Sequence, residues 1–169
     1  MEGFVQGDEQ AFSRLFTRHA PRLRGALRRM VGSAADDVLQ TTFLSIVRAR
    51  GRYERGAPFR PWLYTVAVNA ARDHLRRHRR EEPQDTTQLP EPEADPVPLP
   101  DPGLRRTVEA ALARLPEQQR EAIVLHRFEG FSFREIAEML GVTETAVKVR
   151  AHRGYERLRD LLASEREPA

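Results

Sequence analysis

Cysteine is absent from the 169-residue chain, so neither a disulfide framework nor a thiolate metal site can form. That absence accords with a reducing cytoplasm. Lysine is nearly absent too: Lys148 is the only one among 28 basic residues. Such Arg dominance fits either a GC-rich coding sequence or selection for bidentate phosphate contacts. No apolar run approaches the ~20 residues that span a bilayer, and the opening "MEGFVQGDEQ" lacks the basic and apolar blocks of a signal peptide. The chain is therefore expected in the cytoplasm, with no direct membrane insertion. No credible alternating strand pattern occurs. A glycine-rich phosphate loop is missing as well, since "GFSFRE" and "RGAPFR" lack its spacing. The five histidines (His19, His74, His78, His126, His152) are scattered. His74 and His78 are one helical turn apart, as metal ligands can be, but in "DHLRRHRR" they stand among arginines that repel a cation. These absences predict no enzyme, no metal and no cofactor.

What is present is charge, unevenly placed. The net charge is +3, yet residues 1–80 hold 16 Arg against seven acids. Residues 81–102 hold seven acids and no Lys or Arg, and residues 103–169 are nearly balanced. A basic first block attracts a polyanion. The segment "EEPQDTTQLPEPEADPVPLPDP" carries seven of the twelve prolines and no apolar periodicity, so it reads as a linker, partly extended and self-repelling. At roughly 3.1 Å per residue it reaches about 70 Å, the length of about 20 base pairs of duplex. It is expected to hold its flanking modules loosely.

Both flanks read as helical. Residues 8–30 are amphipathic through Phe12, Leu15, Phe16, Leu23 and Leu27. In "ADDVLQTTFLSIVRAR" (35–50), Val38, Leu39, Thr42, Phe43, Ile46 and Val47 recur at helical spacing, with Asp36 and Asp37 in the first turn where the helix dipole favours them. "PFRPWLYTVAVNAARDHLRRHRR" (58–80) places Pro61 near a first turn and predicts a buried stripe of Trp62, Leu63, Val66, Ala67, Ala70 and Leu75. The expected fold is all-α: two small helical domains, 1–80 and 103–169, joined by a Pro- and acid-rich linker at 81–102.

"EIAEMLGVTETAVKVRAHRG" (135–154) breaks one helix at Gly141 and restarts it at Thr143. Gly141 suits the left-handed turn that ends a helix, and Thr143 caps the next, with Glu144 in its first turn. Val147 and Ala151 then face inward, leaving Glu144, Lys148, Val149, His152 and Arg153 outside. This is the pattern of a helix-turn-helix whose second helix enters a major groove; the plainer alternative is an αα-hairpin in a bundle. Thr65, Asn69, Arg72 and Arg76 recur along one face of the 58–80 helix, expected opposite Trp62. Before them lies "RGRYERGAPF" (50–59), an Arg- and Gly-bearing loop with Arg52, Tyr53 and Phe59. Basic residues interleaved with aromatics suit single-stranded DNA; a solvated basic face with two aromatics tucked into the core is the alternative.

At this point the residues carry a family resemblance. The chain resembles the bacterial RNA polymerase sigma factors of the extracytoplasmic-function class of the sigma-70 family. "DDVLQTTFLSIVRA" is similar to that family's core-polymerase-binding helix. "FRPWLYTVAVNAARDHLRR" is similar to its −10-reading segment. "LPEQQREAIVLHRFEGFSFREIAEMLGVTETAVKVRAHRGYERLR" is similar to its −35-binding domain. The resemblance implies that Asp36, Asp37, Gln40, Phe43 and Leu44 grip core RNA polymerase. It implies that the 50–59 loop with Arg52, Tyr53 and Phe59, then Trp62, Thr65, Asn69, Arg72 and Arg76, take the melted −10 element, Asn69 and the loop capturing a flipped base. Thr143, Glu144, Lys148, Val149, His152 and Arg153 would face the −35 promoter DNA. A cognate anti-sigma factor, membrane-bound in some cases, is a further implied partner. Two positions depart from the family pattern. Thr41 stands where Glu is usual, and Val149 replaces a common Ser, exchanging a hydrogen bond for an apolar contact.

A conventional helix-turn-helix regulator is the main rival reading. It would require a dimer interface and usually a ligand domain, and neither is visible in the sequence. Binding of duplex promoter DNA without polymerase would distinguish it.

Overall fold

The computed structural model describes residues 2–81 and 102–164, and the expected linker lies outside the described residues except at its two ends. Every regular element among the described residues is helical. The first module comprises α1 (Glu2–Val5), α2 (Glu9–Val31), α3 (Ala35–Ala49) and α4 (Phe59–Glu81). The second comprises α5 (Pro102–Ala113), α6 (Glu117–Ile123), α7 (Phe133–Leu140) and α8 (Glu144–Ser164). The short α5 and α6 were not anticipated individually.

The helix ends have local causes. Asp8 caps α2 by accepting from the Gln10 N–H at 2.8 Å, and Gly32 ends it at φ 61°. Pro61 falls in the first turn of α4, where its missing N–H is harmless. α2, α3 and α4 enclose Leu23, Leu27, Ile46 and Leu63, all buried, each worth ~1.5–3 kcal/mol. In the second module α6, α7 and α8 enclose Ile123, Leu125, Ile136 and Val147. Gly154 allows α8 to approach α6, since a Cβ there would sit 2.7 Å from Ile123 Cδ1.

Two expected apolar stripes are corrected. On α4 the buried positions are Leu63, Tyr64, Ala67, Val68 and Ala71, whereas Trp62, Val66, Ala70 and Leu75 are only half-buried. The stripe is rotated by about one residue because α4 packs on its own module and on the second module at once. On α3 Val47 is exposed, beyond the reach of α2 and α4.

The modules are not held loosely. A continuous hydrophobic cluster runs from Leu63 and Tyr64 to Phe131 and Ile136, with the Tyr64 and Phe131 rings 5.0 Å apart edge to face. Around it the cross-module contacts are ionic. Glu129 accepts from Tyr64 Oη at 2.5 Å and Arg22 Nε at 2.8 Å, and its carbonyl accepts from Arg22 and Arg60. Glu121 receives Arg72 through two bonds of 2.7 and 2.6 Å. Composition and charge could not reveal this packing, because each module supplies only half of every pair.

Candidate nucleic-acid interface

The helix-turn-helix is built as its residues dictate. Ser132 and Glu135 close a capping box at the start of α7, and Gly141 ends α7 in the left-handed region at φ 65°, its N–H reaching the Ala137 carbonyl. The Val142 N–H reaches the same carbonyl at 3.0 Å, so the chain turns sharply within two residues. Thr143 Oγ1 then accepts from the Ala146 N–H at 3.1 Å and caps α8. Val147 and Ala151 are buried, while Thr143, Glu144, Lys148, Val149, His152 and Arg153 are all exposed on the outer side. Lys148 pairs with Glu144 at 2.7 Å. His152 lies 3.5 Å from Glu156. Val149 is 44% exposed, an apolar side chain on an otherwise polar face. Upstream, five residues of π-helix, Val124–Phe128, widen the turn after α6. His126 stacks on Phe133 and bonds the Phe131 carbonyl at 2.8 Å, holding the entry to α7.

The basic and aromatic face of the first module is assembled differently from the expectation. At about 100° per residue, Thr65, Asn69 and Arg76 lie within roughly 60° of Trp62, on its side of α4 rather than opposite it. Trp62 and Phe59 are half-buried and keep ring surface for contacts, 5.9 Å apart. Tyr53 is buried beneath them, 5.1 Å from Trp62. Its hydroxyl donates to the Ala57 carbonyl, which closes the 50–59 loop, and burial pushes its pKa up. Tyr53 thus supports the aromatic surface from below. Arg52 is exposed on a single 3₁₀ turn, Arg50–Arg52. Beside it a cleft of about 530 Å³ is lined by Gly3, Val5, Tyr53, Arg55, Ala57 and Phe59, a size that admits an unstacked nucleotide. Asn69 is exposed. The Thr65 hydroxyl donates back to the Pro61 carbonyl at 2.9 Å, and Arg76 pairs with Asp73 at 2.5 Å. Arg72 is the exception. Its guanidinium is committed to Glu121 of the second module, a bond that raises its pKa further.

The third surface is the outer face of α3. Asp37, Gln40 and Leu44 are exposed there, next to exposed Val47 and Phe16 of α2. Phe43 is not on that surface. It is 4% exposed and packs against Phe16 at 4.7 Å and Phe12 at 6.1 Å, because the α3 stripe that holds it is the one facing α2. Asp36 is held by Arg24 through bonds of 2.6 and 2.9 Å, and that bond is the main reason its pKa is lowered. Thr41, the departure from the family's Glu, donates its hydroxyl back to the Asp37 carbonyl at 2.9 Å.

Residues that the sequence reading missed are Arg22, Arg60, Tyr64, Glu121 and Glu129. A signal existed for the acids. Glu121 opens "EAIVL" and Glu129 sits in "FEGF", acids set against large apolar residues, as buried and paired carboxylates are. Among the described residues no group of three or more His, Cys, Asp or Glu could hold a metal. His74 and His78 meet edge to face at 4.7 Å.

A capped helix-turn-helix on one module and a basic, aromatic-lined helix beside an acidic and apolar one on the other define a helical DNA-binding protein with a further exposed, partly apolar face. Residues 15–81 match the sigma-70 region 2 family, and residues 105–158 match sigma-70 region 4. The chain is 50% identical over 165 residues to the RNA polymerase sigma factor CarQ of Myxococcus xanthus, covering 96% of this chain and 95% of that one. It is 38% identical over 160 residues to the ECF RNA polymerase sigma factor SigM of Mycobacterium tuberculosis, covering 94% and 80%. Among solved structures it is similar to CnrH in complex with the cytosolic domain of CnrY, at TM-score 0.72 and 28% identity over 96% of this chain and 94% of that one. It is also similar to the sigma factor RpoE with the anti-sigma factor NepR from Bartonella quintana, at TM-score 0.76 and 25% identity over 93% and 99%. The chain belongs to the sigma-70 family of RNA polymerase sigma factors, in its extracytoplasmic-function class. It is a transcription initiation factor that directs RNA polymerase to promoters.

Proposed function

We propose that residues 1–80 dock on core RNA polymerase and take the melted −10 element, that residues 81–102 tether, and that residues 103–169 read the −35 element. The observation that carries this division is the split of α8, with Val147 and Ala151 buried and Lys148, Val149, His152 and Arg153 turned outward behind a tight Gly141 turn. Asp37, Gln40 and Leu44, continuous with Val47 and Phe16, form the polymerase-docking face, and Phe43 supports it from within. Phe59, Trp62 and Asn69 take the unpaired strand; stacking is worth ~1–3 kcal/mol per base and offsets part of the cost of opening the duplex. The chain contributes no catalytic step, since the chemistry belongs to the polymerase, and it acts in the cytoplasm where polymerase and DNA meet. CnrH and RpoE were solved with CnrY and an anti-sigma factor, which supports a cognate anti-sigma partner here as well.

The test is co-purification with core polymerase. The double variant Gln40→Ala/Leu44→Ala alters exposed residues only and is expected to keep full helicity while losing most core binding. Undiminished association would remove the docking assignment. Phe43→Ala is expected to fail differently, by ~3–5 kcal/mol of stability, because it empties a packed aromatic site.

A further inference from the structure

We infer that α1, which lies outside the residues 15–81 matched to the family, is one wall of a base-binding cleft and sets which unpaired base of the −10 element enters it. The inference deepens the −10 reading above and rests on it. The cleft is the one of about 530 Å³ beside the 50–59 loop. Tyr53, Arg55 and Phe59 line it from the loop, and Gly3 and Val5 line it from α1. Two segments far apart in sequence therefore face each other across it.

α1 is fixed in place by its packing. Four residues are too few to persist as a helix by themselves, so the anchor is Phe4. It is 2% exposed and its ring stacks on Phe12 at 5.6 Å. Two backbone bonds turn the chain back onto α2: the Gly7 N–H donates to the Phe4 carbonyl at 3.0 Å, and the Asp8 N–H to the Gly3 carbonyl at 2.9 Å. Gly3 permits the close seat, since a Cβ there would lie 3.2 Å from Asp8 Oδ2 and 3.3 Å from Ala11 Cβ. The turn also meets the foot of the loop. A Cβ on Gly7 would lie 3.6 Å from a guanidinium nitrogen of Arg50, and Arg50 opens the 3₁₀ turn that leads into the loop.

The lining suits a nucleotide. Tyr53 is held by its bond to the Ala57 carbonyl, and half-buried Phe59 offers ring surface on which a base can stack. Arg55 is exposed, and among the described residues no acid pairs with it, so its guanidinium is available to a phosphate. Of the two α1 residues at the cleft only Val5 carries a side chain, and that apolar side chain sets the width. An apolar wall selects by size. Val5 therefore acts on base choice, whereas Arg55 acts on strength, because the phosphate is the same at every base.

The test uses the full-length chain with core polymerase and a promoter library randomised across the −10 element. Val5→Trp fills the cleft and Val5→Ala widens it, and both leave Phe4 in place. Val5→Trp is expected to shift preference at one −10 position toward the smaller pyrimidines by about ten-fold, the scale of a size change at an apolar wall. Val5→Ala is expected to relax preference at that same position. Phe4→Ala, which unseats α1, should relax it too. Core co-purification and preference across the −35 element should match the parent in both Val5 variants. Parental −10 preference in either Val5 variant, whatever the yield, would overturn the inference and leave α1 a structural support alone. Trp62→Ala and Asn69→Ala in the same library separate the two levels of failure. If they alter −10 preference and the Val5 variants do not, only the role of α1 falls. If none of the variants alters it, the −10 reading itself falls.

Discussion

Lys148 and Arg153 are both exposed on α8. Lys148 makes an i, i+4 pair with Glu144 in which both side chains are about half exposed, and such a pair contributes only ~0.3–0.5 kcal/mol to the helix. Removing either cation therefore costs little folding energy, and a change in transcription reports a change in DNA contact. Base contacts of good geometry contribute ~1–3 kcal/mol each, whereas a phosphate contact adds a salt-dependent share with a slope near −0.9 per charge. Arg153→Ala is expected to lower transcription by roughly ten-fold or more at promoters that depend on the −35 element, and less where the −10 element dominates. Lys148→Ala is expected to alter base preference if it meets a base edge, and only yield if it meets phosphate. Transcription from a promoter library with each variant distinguishes the outcomes. Identical preference and yield throughout would return α8 to the role of an ordinary bundle helix.

α7 has eight residues, too few to persist without its ends and its packing. Ser132 and Glu135 satisfy two of its free N–H groups, at 3.2 Å and 2.8 Å. Ser132→Ala is expected to lower stability by ~1 kcal/mol, measured by thermal melting, and to weaken −35-dependent transcription because α7 positions α8. The same cap carries a pH dependence. Hydrogen bonds from the Ser132 backbone and hydroxyl hold the Glu135 pKa below its ordinary 4.5. A carboxylate depressed in the folded state contributes stability that is complete above its ordinary value and is lost as pH falls through the lowered one. The parent should therefore lose this contribution only below its ordinary 4.5, and Glu135→Gln should not. Equal acid sensitivity of the two proteins would show that the cap carries no net charge-linked stability.

Across the whole molecule the proposed tether is open to a direct test. Residues 83–100 lie outside the described residues, but their composition supports reach rather than recognition. Replacing them with a Gly/Ser tract of equal length is expected to preserve part of promoter-dependent transcription. Deleting most of the tract is expected to abolish it, because the modules could then remain joined but could not span both elements. Normal initiation by the shortened chain would refute the spanning role.

The sequence by itself determined the long helices of the first module, the break at Gly141 and the outward face of α8. Those features depend on neighbours a few residues apart: the Gly141 turn, the Thr143 cap and the 3.6-residue spacing of Val147 and Ala151 are all local. The two-domain all-α fold was legible for the same reason, since Pro-rich, acidic residues interrupt the apolar periodicity between 81 and 102. Tertiary structure alone decided the rest. Phe43 recurs at helical spacing like its neighbours, yet only the placement of Phe12 and Phe16 buries it and leaves Leu44 and Val47 outside. Arg72 reads as one more basic residue on a basic helix until Glu121, 49 residues away, takes its guanidinium. A side chain's partner across the fold is set by how two surfaces meet, and no periodicity along either strand of sequence encodes that meeting.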